Sequence, residues 1–217
     1  MQTLTQQLID HQLANRIVTD AQLARIINGT KQRRYHLVNR AIKAGEVLRL
    51  RRGCYLLAEP FRDHPVHPYA LAQALVPGSY VSYETALAHH GWIPEAVYIT
   101  ASVAPGRKSS TYEHKSFGPF SFQPLATRRG YILELVEREQ STEQTMLVAK
   151  PIRALMDLVC SRKVEWQGMA WLQRSLRIDY EDLRQVTSSD IRTLKLVYKH
   201  KKVIQFLEHL AKALGND

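Results

Sequence analysis

The sequence predicts an α+β fold in two parts. Three short helices and a hairpin come first, followed by a mixed α and β region with its sheet ahead of its helices. Three observations predict it. Apolar residues recur at helical spacing three times before residue 45, then alternate with cations. A proline-rich stretch interrupts the chain near residue 60. Strand-like runs separated by Gly and Pro then give way, from Lys150 onward, to helical patterns.

The elements are justified in order. Thr3 to Arg16 spaces Leu4, Leu8, Ile9 and Leu13 as a helix does. Thr19 is placed as an N-cap ahead of Leu23, Ile26 and Ile27, and Asn28-Gly29 stops that second helix. Thr30 caps a third helix to Ala44, with Gly45 where a left-handed residue is wanted. Val47–Arg51 and Cys54–Leu57 flank a turn at Arg52-Gly53, a two-stranded hairpin whose packing face takes Cys54. Three helices and a hairpin in this order are those of a winged helix-turn-helix, assigned to residues 1–58.

Residues 59–68 hold Pro60, Pro65 and Pro68 and read as a linker, leaving 69–217 as a mixed α/β domain. In it, Tyr69–Leu75 is expected to be helical, and Ser82 to cap a helix over Tyr83–His90 closed by Gly91. Strands are expected at Ala96–Ser102, Tyr112–Lys115, Phe120–Gln123, Tyr131–Glu137 and Met146–Ala149. Pro151 opens a helix with Ile152, Leu155, Met156, Leu158 and Val159 along one side. Further helices are expected at Gly168–Ser175, Tyr180–Val186, Asp190–Lys199 and Lys201–Leu214.

Charge separates the two parts. The 217 residues carry 30 Lys and Arg against 20 Asp and Glu, a net +10. Residues 1–58 hold ten of those cations and three acids, so a quarter of the chain carries +7. Such an excess concentrates polyanions, which makes nucleic acid the first expected partner. No apolar run approaches a membrane span, the start lacks a signal peptide's basic and apolar regions, and two cysteines make no disulfide framework. The expected location is the cytoplasm.

Within the third helix, Arg33, His36, Arg40 and Lys43 are spaced three, four and three apart and share one exposed stripe. Lys31, Gln32 and Arg34 flank it in the first turn. The N-terminal residues of such a helix approach base edges in the major groove, where guanidinium pairs with guanine and carboxamide with adenine. Arg40 and Lys43, farther along, suit phosphates. On the hairpin, Arg49, Arg51 and Arg52 would straddle the backbone or enter the minor groove, with only Glu46 opposing them.

At these residues a resemblance appears. The run LVNRAIKAGEVLRLRRGCYLL is similar to the end of the recognition helix and the wing of the AbiEi family, antitoxin and repressor proteins of type IV abortive-infection toxin–antitoxin systems. The segments YVSYETALAHHGW, VYITASVAPGRK and VAKPIRALMDLV resemble, in that order, parts of the family's C-terminal domain, so the likeness spans nearly the whole chain. It implies an N-terminal domain that represses its own operon at promoter repeats, as a monomer in solution. It also implies a C-terminal domain that counteracts a nucleotidyltransferase-like toxin without a stable complex.

The remaining motifs are weaker. Arg107 and Lys108, in the loop after AVYITAS, suit a nucleic-acid or antitoxin contact but form no P-loop. His64 and His67 are two ligands in a proline-rich stretch and make no metal site, and His89-His90 suit helix capping. Lys199–Lys202 reads as a solvated connector, and Asp157 as the partner of Arg153 one helical turn earlier. Enzyme signatures such as G-x-S-x-G, H-E-x-x-H and C-x-x-C are absent from the sequence. Neither a catalytic residue nor a cofactor is therefore expected. Two other readings remain: a transcription factor whose C-terminal domain senses a ligand, and a nucleic-acid-processing enzyme delivered by a basic domain.

Overall fold

The computed structural model describes residues 2–141 and 144–215. The protein is mixed α+β. Its chain divides into two compact units, residues 1–77 with 140–146 and residues 78–139 with 147–217.

The first unit begins with α1 (Leu4–Asp10), β1 (Val18–Thr19), α2 (Asp20–Ile26) and α3 (Lys31–Lys43). Hairpin strands β2 (Val47–Arg51) and β3 (Cys54–Leu57) follow, then a 3-10 turn at Glu59–Phe61 and α4 (Pro68–Leu75). α1 stops at Asp10 rather than Arg16. Gln12 adopts φ +56°, and Leu13 N–H bonds back to the Leu8 carbonyl, so Leu13 still packs on the core without being helical.

Thr19 closes a reciprocal capping box with Gln22, and Thr30 Oγ1 accepts from Arg33 N–H. Strand β1 was not expected. It pairs antiparallel with β3 through Val18–Tyr55 and Thr19–Cys54, giving a three-stranded sheet ordered β1-β3-β2 among the described residues. Leu4, Leu8, Val18, Leu23, Leu37, Val38 and Leu57 meet in one core, each contributing about 1.5–3 kcal/mol of burial.

Residues 59–68 are tied down. Asn15 Nδ2 donates to Asp63 Oδ2 (3.2 Å), Asp63 N–H donates to Asn15 Oδ1 (2.9 Å), and Val66 is buried. The division between units falls after Pro77, because α4 stays with the first unit and its Ala74 carbonyl accepts from Arg51 Nε.

The second unit holds β4 (Tyr80–Val81), α5 (Tyr83–His89), β5 (Thr100–Val103), β6 (Ser110–His114) and β7 (Gly118–Gln123), together with the parts of β8 (Val136–Ser141) and β9 (Gln144–Ala149) that lie outside residues 140–146. Helices α6 (Pro151–Arg162), α7 (Met169–Ser175), α8 (Tyr180–Arg184), α9 (Ser188–Val197) and α10 (Lys201–Leu214) complete it. The sheet is ordered β6-β7-β5-β4-β9-β8 among the described residues. β5 runs parallel to β7 and β4 parallel to β9, while the β4–β5 and β6–β7 pairs are antiparallel. No helix among the described residues is long and apolar enough to cross a membrane.

Helix α6 is the centre of this unit. Every residue from Ile152 to Cys160 is buried, so it is enclosed on all sides rather than along one stripe. Arg153 and Asp157 do pair, Nε to Oδ1 at 2.9 Å, but both are fully buried. Tyr80 and Ser82 hydroxyls donate to Asp157 Oδ2 at 2.9 and 2.7 Å, and Tyr198 donates to Oδ1 at 2.7 Å. Ser82 therefore sits at the α5 N-cap position without a side-chain capping bond.

The same network breaks the strand expected at Tyr131–Glu137. Arg153 Nη1 donates to the Glu134 carbonyl (2.9 Å) and Nη2 to that of Ile132 (3.4 Å). Leu135 lies at φ +54°, and β8 begins only at Val136. The strand expected from Ala96 starts at Thr100, after Tyr98, which is 89% exposed.

Candidate nucleic-acid interface

α3 is turned by its buried side. Leu37, Val38 and Ala41 point into the core, which leaves Lys31, Gln32, Arg33, His36, Arg40 and Lys43 exposed along the rest of its surface. These 13 residues make a rod about 20 Å long at 1.5 Å per residue.

Between α3 and the hairpin lies a groove of about 270 Å3. Lys31, Arg34, Arg49 and Arg52 line it, together with Tyr35, Asn39 and Tyr55. Arg34 is preset there, because its Nη1 donates to the Gly29 carbonyl at 2.8 Å. Arg33 folds over the same glycine, whose φ of +108° and missing Cβ leave the space, since a Cβ there would stand 3.0 Å from Arg33 Cδ. Gln32 Nε2 lies 3.0 Å from His36 Nε2.

Two side chains depart from the expected set. Arg51 donates its Nε to the Ala74 carbonyl (2.9 Å), so it is partly spent within the unit and lies outside the groove. A register shift between Arg49 and Arg51 in the pairing of β2 with β3 separates the two arginines. Arg40 lines a different recess, beside Glu46, on the side of α3 that faces α1.

The acid that opposes the groove is Asp20, not Glu46. Glu46 accepts from Thr5 Oγ1, whereas Asp20 borders the groove at the hairpin turn. Burial and the neighbouring Asp20 carboxylate push the Tyr55 hydroxyl above its ordinary range, so it remains a protonated donor to Asp20.

Tyr35 and Asn39 were missed. Tyr35 is 62% exposed and meets His36 edge-on, with ring centroids 5.9 Å apart. The signal was present, since Lys31, Tyr35 and Asn39 follow one another at intervals of four, which places them on one face of the helix.

No side chain among Lys31, Arg33, Arg34, Arg40, Lys43, Arg49, Arg51 and Arg52 forms an ion pair among the described residues. The pairs that do form involve residues of the second unit, such as Arg153–Asp157 and Lys202–Glu165. The cations of this surface therefore lack direct ion-pair partners among the described residues, with Asp20 the one carboxylate that lines the groove.

The hairpin turn depends on Gly53. It adopts φ +75°, and a Cβ there would stand 2.8 Å from Asp20 Oδ2. Gly53→Ala is expected to cost about 1–2 kcal/mol in a urea titration followed by circular dichroism. A change below about 0.5 kcal/mol would show that the turn relaxes away from both the positive φ and the Asp20 contact.

Elsewhere, Arg107 and Lys108 lie exposed in the loop after β5 of the second unit, apart from the residues above in sequence and unit. His89 Nε2 and Glu139 Oε2 are 2.9 Å apart, and candidate ligand atoms of His89, His90 and Glu139 lie within 4.8 Å of one another. His90 Nε2 is 3.0 Å from the Ala149 carbonyl, which only accepts, so that nitrogen carries its proton. Cys54 and Cys160 are buried, and burial pushes the Cys160 thiol up to about 11. The nucleophilic thiolate is thus scarce at neutral pH.

No protein-family model and no curated protein sequence matches this chain.

Proposed function

We propose that the first unit is a winged helix-turn-helix that reads duplex DNA. In this reading α2 and α3 form the helix-turn-helix and β2–β3 the wing. The observation that carries it is the cationic surface without ion pairs among the described residues, on which Lys31, Arg34, Arg49 and Arg52 border one groove beside helix α3, against the single carboxylate of Asp20. A major groove about 12 Å wide admits an α-helix. Gln32, Arg33 and His36 then face base edges, while Lys31, Arg34, Arg40 and Lys43 hold phosphates. Tyr35 adds an apolar face for a thymine methyl, and Arg49 and Arg52 grip the adjacent backbone.

The functional class is a DNA-binding transcriptional repressor. More particularly, the sequence resemblance supports an autorepressing antitoxin of the AbiEi kind, whose second unit counteracts a nucleotidyltransferase-like toxin encoded beside it.

A gel-shift titration with the DNA upstream of the gene, against scrambled duplex, tests the first part. Contact with about six phosphates implies a log–log salt slope near −5, a loss on the order of a thousandfold between about 50 and 200 mM salt. Equal affinity for both duplexes would remove the sequence-reading role, and salt-independent binding would remove the phosphate contacts. Co-expression with the neighbouring gene product tests the second part, because an antitoxin restores growth that the neighbour alone arrests.

A further inference from the structure

A second cationic opening lies wholly in the second unit. It is a cleft of about 570 Å3 between the loop after β5 and residues 124–130. Arg107, Arg128, Arg129 and Lys199 line it, and no carboxylate does. All four are exposed, and none of their side chains makes an ion pair or hydrogen bond among the described residues. Four like charges around one opening repel one another unless an anion fills it.

The backbone beneath them is firmly held. Thr127 bridges Tyr198, Arg128 N–H donates to the Val197 carbonyl (2.7 Å), and Lys199 N–H donates to that of Ala126 (3.2 Å). Tyr198 is anchored on Asp157, whose partner Arg153 holds the carbonyl of Ile132, a residue of the cleft wall. Ala104 N–H bonds to the Gln123 carbonyl at 3.0 Å, joining the two loops that carry the arginines. The buried ion-pair network thus fixes the backbone that carries the four exposed cationic side chains. No aromatic ring lines the cleft, so it has no surface on which a base would stack.

We propose that this cleft is a second nucleic-acid contact, gripping the phosphodiester backbone of a strand without reading its bases. It does not rest on the first unit's being a winged helix-turn-helix.

The test uses the full chain in which Lys31, Arg34, Arg49 and Arg52 are already alanine, so that the groove of the first unit is silenced. A fluorescein-labelled 12-nucleotide oligothymidine is titrated by anisotropy into this protein, and into the same protein with Arg107, Arg128, Arg129 and Lys199 also replaced by alanine. The first is expected to bind with a salt slope of about −2 to −3, at roughly −0.7 per phosphate contacted. The second is expected to bind at least tenfold more weakly at 50 mM salt, with unchanged thermal melting because all four side chains are exposed. Failure of the first protein to bind, or equal binding by both, overturns the proposal. Displacement of the oligonucleotide by inorganic phosphate at equal phosphate concentration also overturns it, in favour of a small-anion site. If the first-unit substitutions leave duplex binding intact, the proposed function fails, yet the comparison at the cleft still reads.

Discussion

Asp157→Asn is expected to lower the unfolding free energy of the second unit by about 3–5 kcal/mol, the largest single-residue effect in this molecule. The carboxylate has no exposure and accepts from four side chains, Arg153, Tyr80, Ser82 and Tyr198. Replacing it with a carboxamide exchanges an acceptor for a donor, so at least one of those donors loses its partner. The heavier cost falls on Arg153. Burial disfavours its charge, but Asp157 and the hydroxyls of Tyr198 and Tyr80 more than offset that, and its pKa ends above the ordinary arginine value.

The rings of Tyr80 and Tyr198 lie 5.3 and 5.4 Å from the guanidinium carbon, which adds cation–π attraction. Burial and the Asp157 charge push both hydroxyls well above their ordinary pKa, so they stay neutral and cannot replace the lost negative charge. Without Asp157 the guanidinium is a buried charge that cannot neutralise itself. Replacing Arg153 and Asp157 together with Met and Leu removes both charges. The pair of changes should therefore cost less than the sum of the single ones. Urea titration followed by circular dichroism reads each difference. A loss below about 1 kcal/mol for Asp157→Asn would show that water reaches this network.

Simultaneous replacement of Lys31, Arg34, Arg49 and Arg52 by alanine is expected to reduce the duplex salt slope from near −5 to about −1 to −2. Each removed cation leaves one phosphate with its counterion, and B-form DNA releases roughly 0.9 counterion per phosphate neutralised. Arg51 is outside this set because its Nε is bound to Ala74 within the unit. The four side chains border a groove rather than fill a core, so folding should be nearly unaffected. Affinities at three or more salt concentrations give the slope directly. An unchanged slope would move the phosphate contacts to another surface.

Part of this was legible because it is local. Thr19 and Thr30 cap helices through residues three positions on, and Gly45 and Gly53 stand at positive φ where the turns required it. The third helix and hairpin likewise follow from spacing and alternation within about 30 residues. Errors arose where distant partners took over a backbone group. Ile132 and Glu134 read as strand, but their carbonyls belong to Arg153. Ser82 reads as a cap, but its hydroxyl belongs to Asp157, 75 positions away.

By itself the sequence determined the order of elements in the first unit and the concentration of positive charge there, since composition, periodicity and capping act between near neighbours. Only the tertiary structure decided which cations share a groove, that Arg51 turns aside, and that Arg107 meets Arg128, Arg129 and Lys199. Those outcomes depend on strand register and on buried charges finding partners 41 to 77 positions away. The physical reason is that a buried polar group must be satisfied wherever its partner lies, and that requirement overrides local preference.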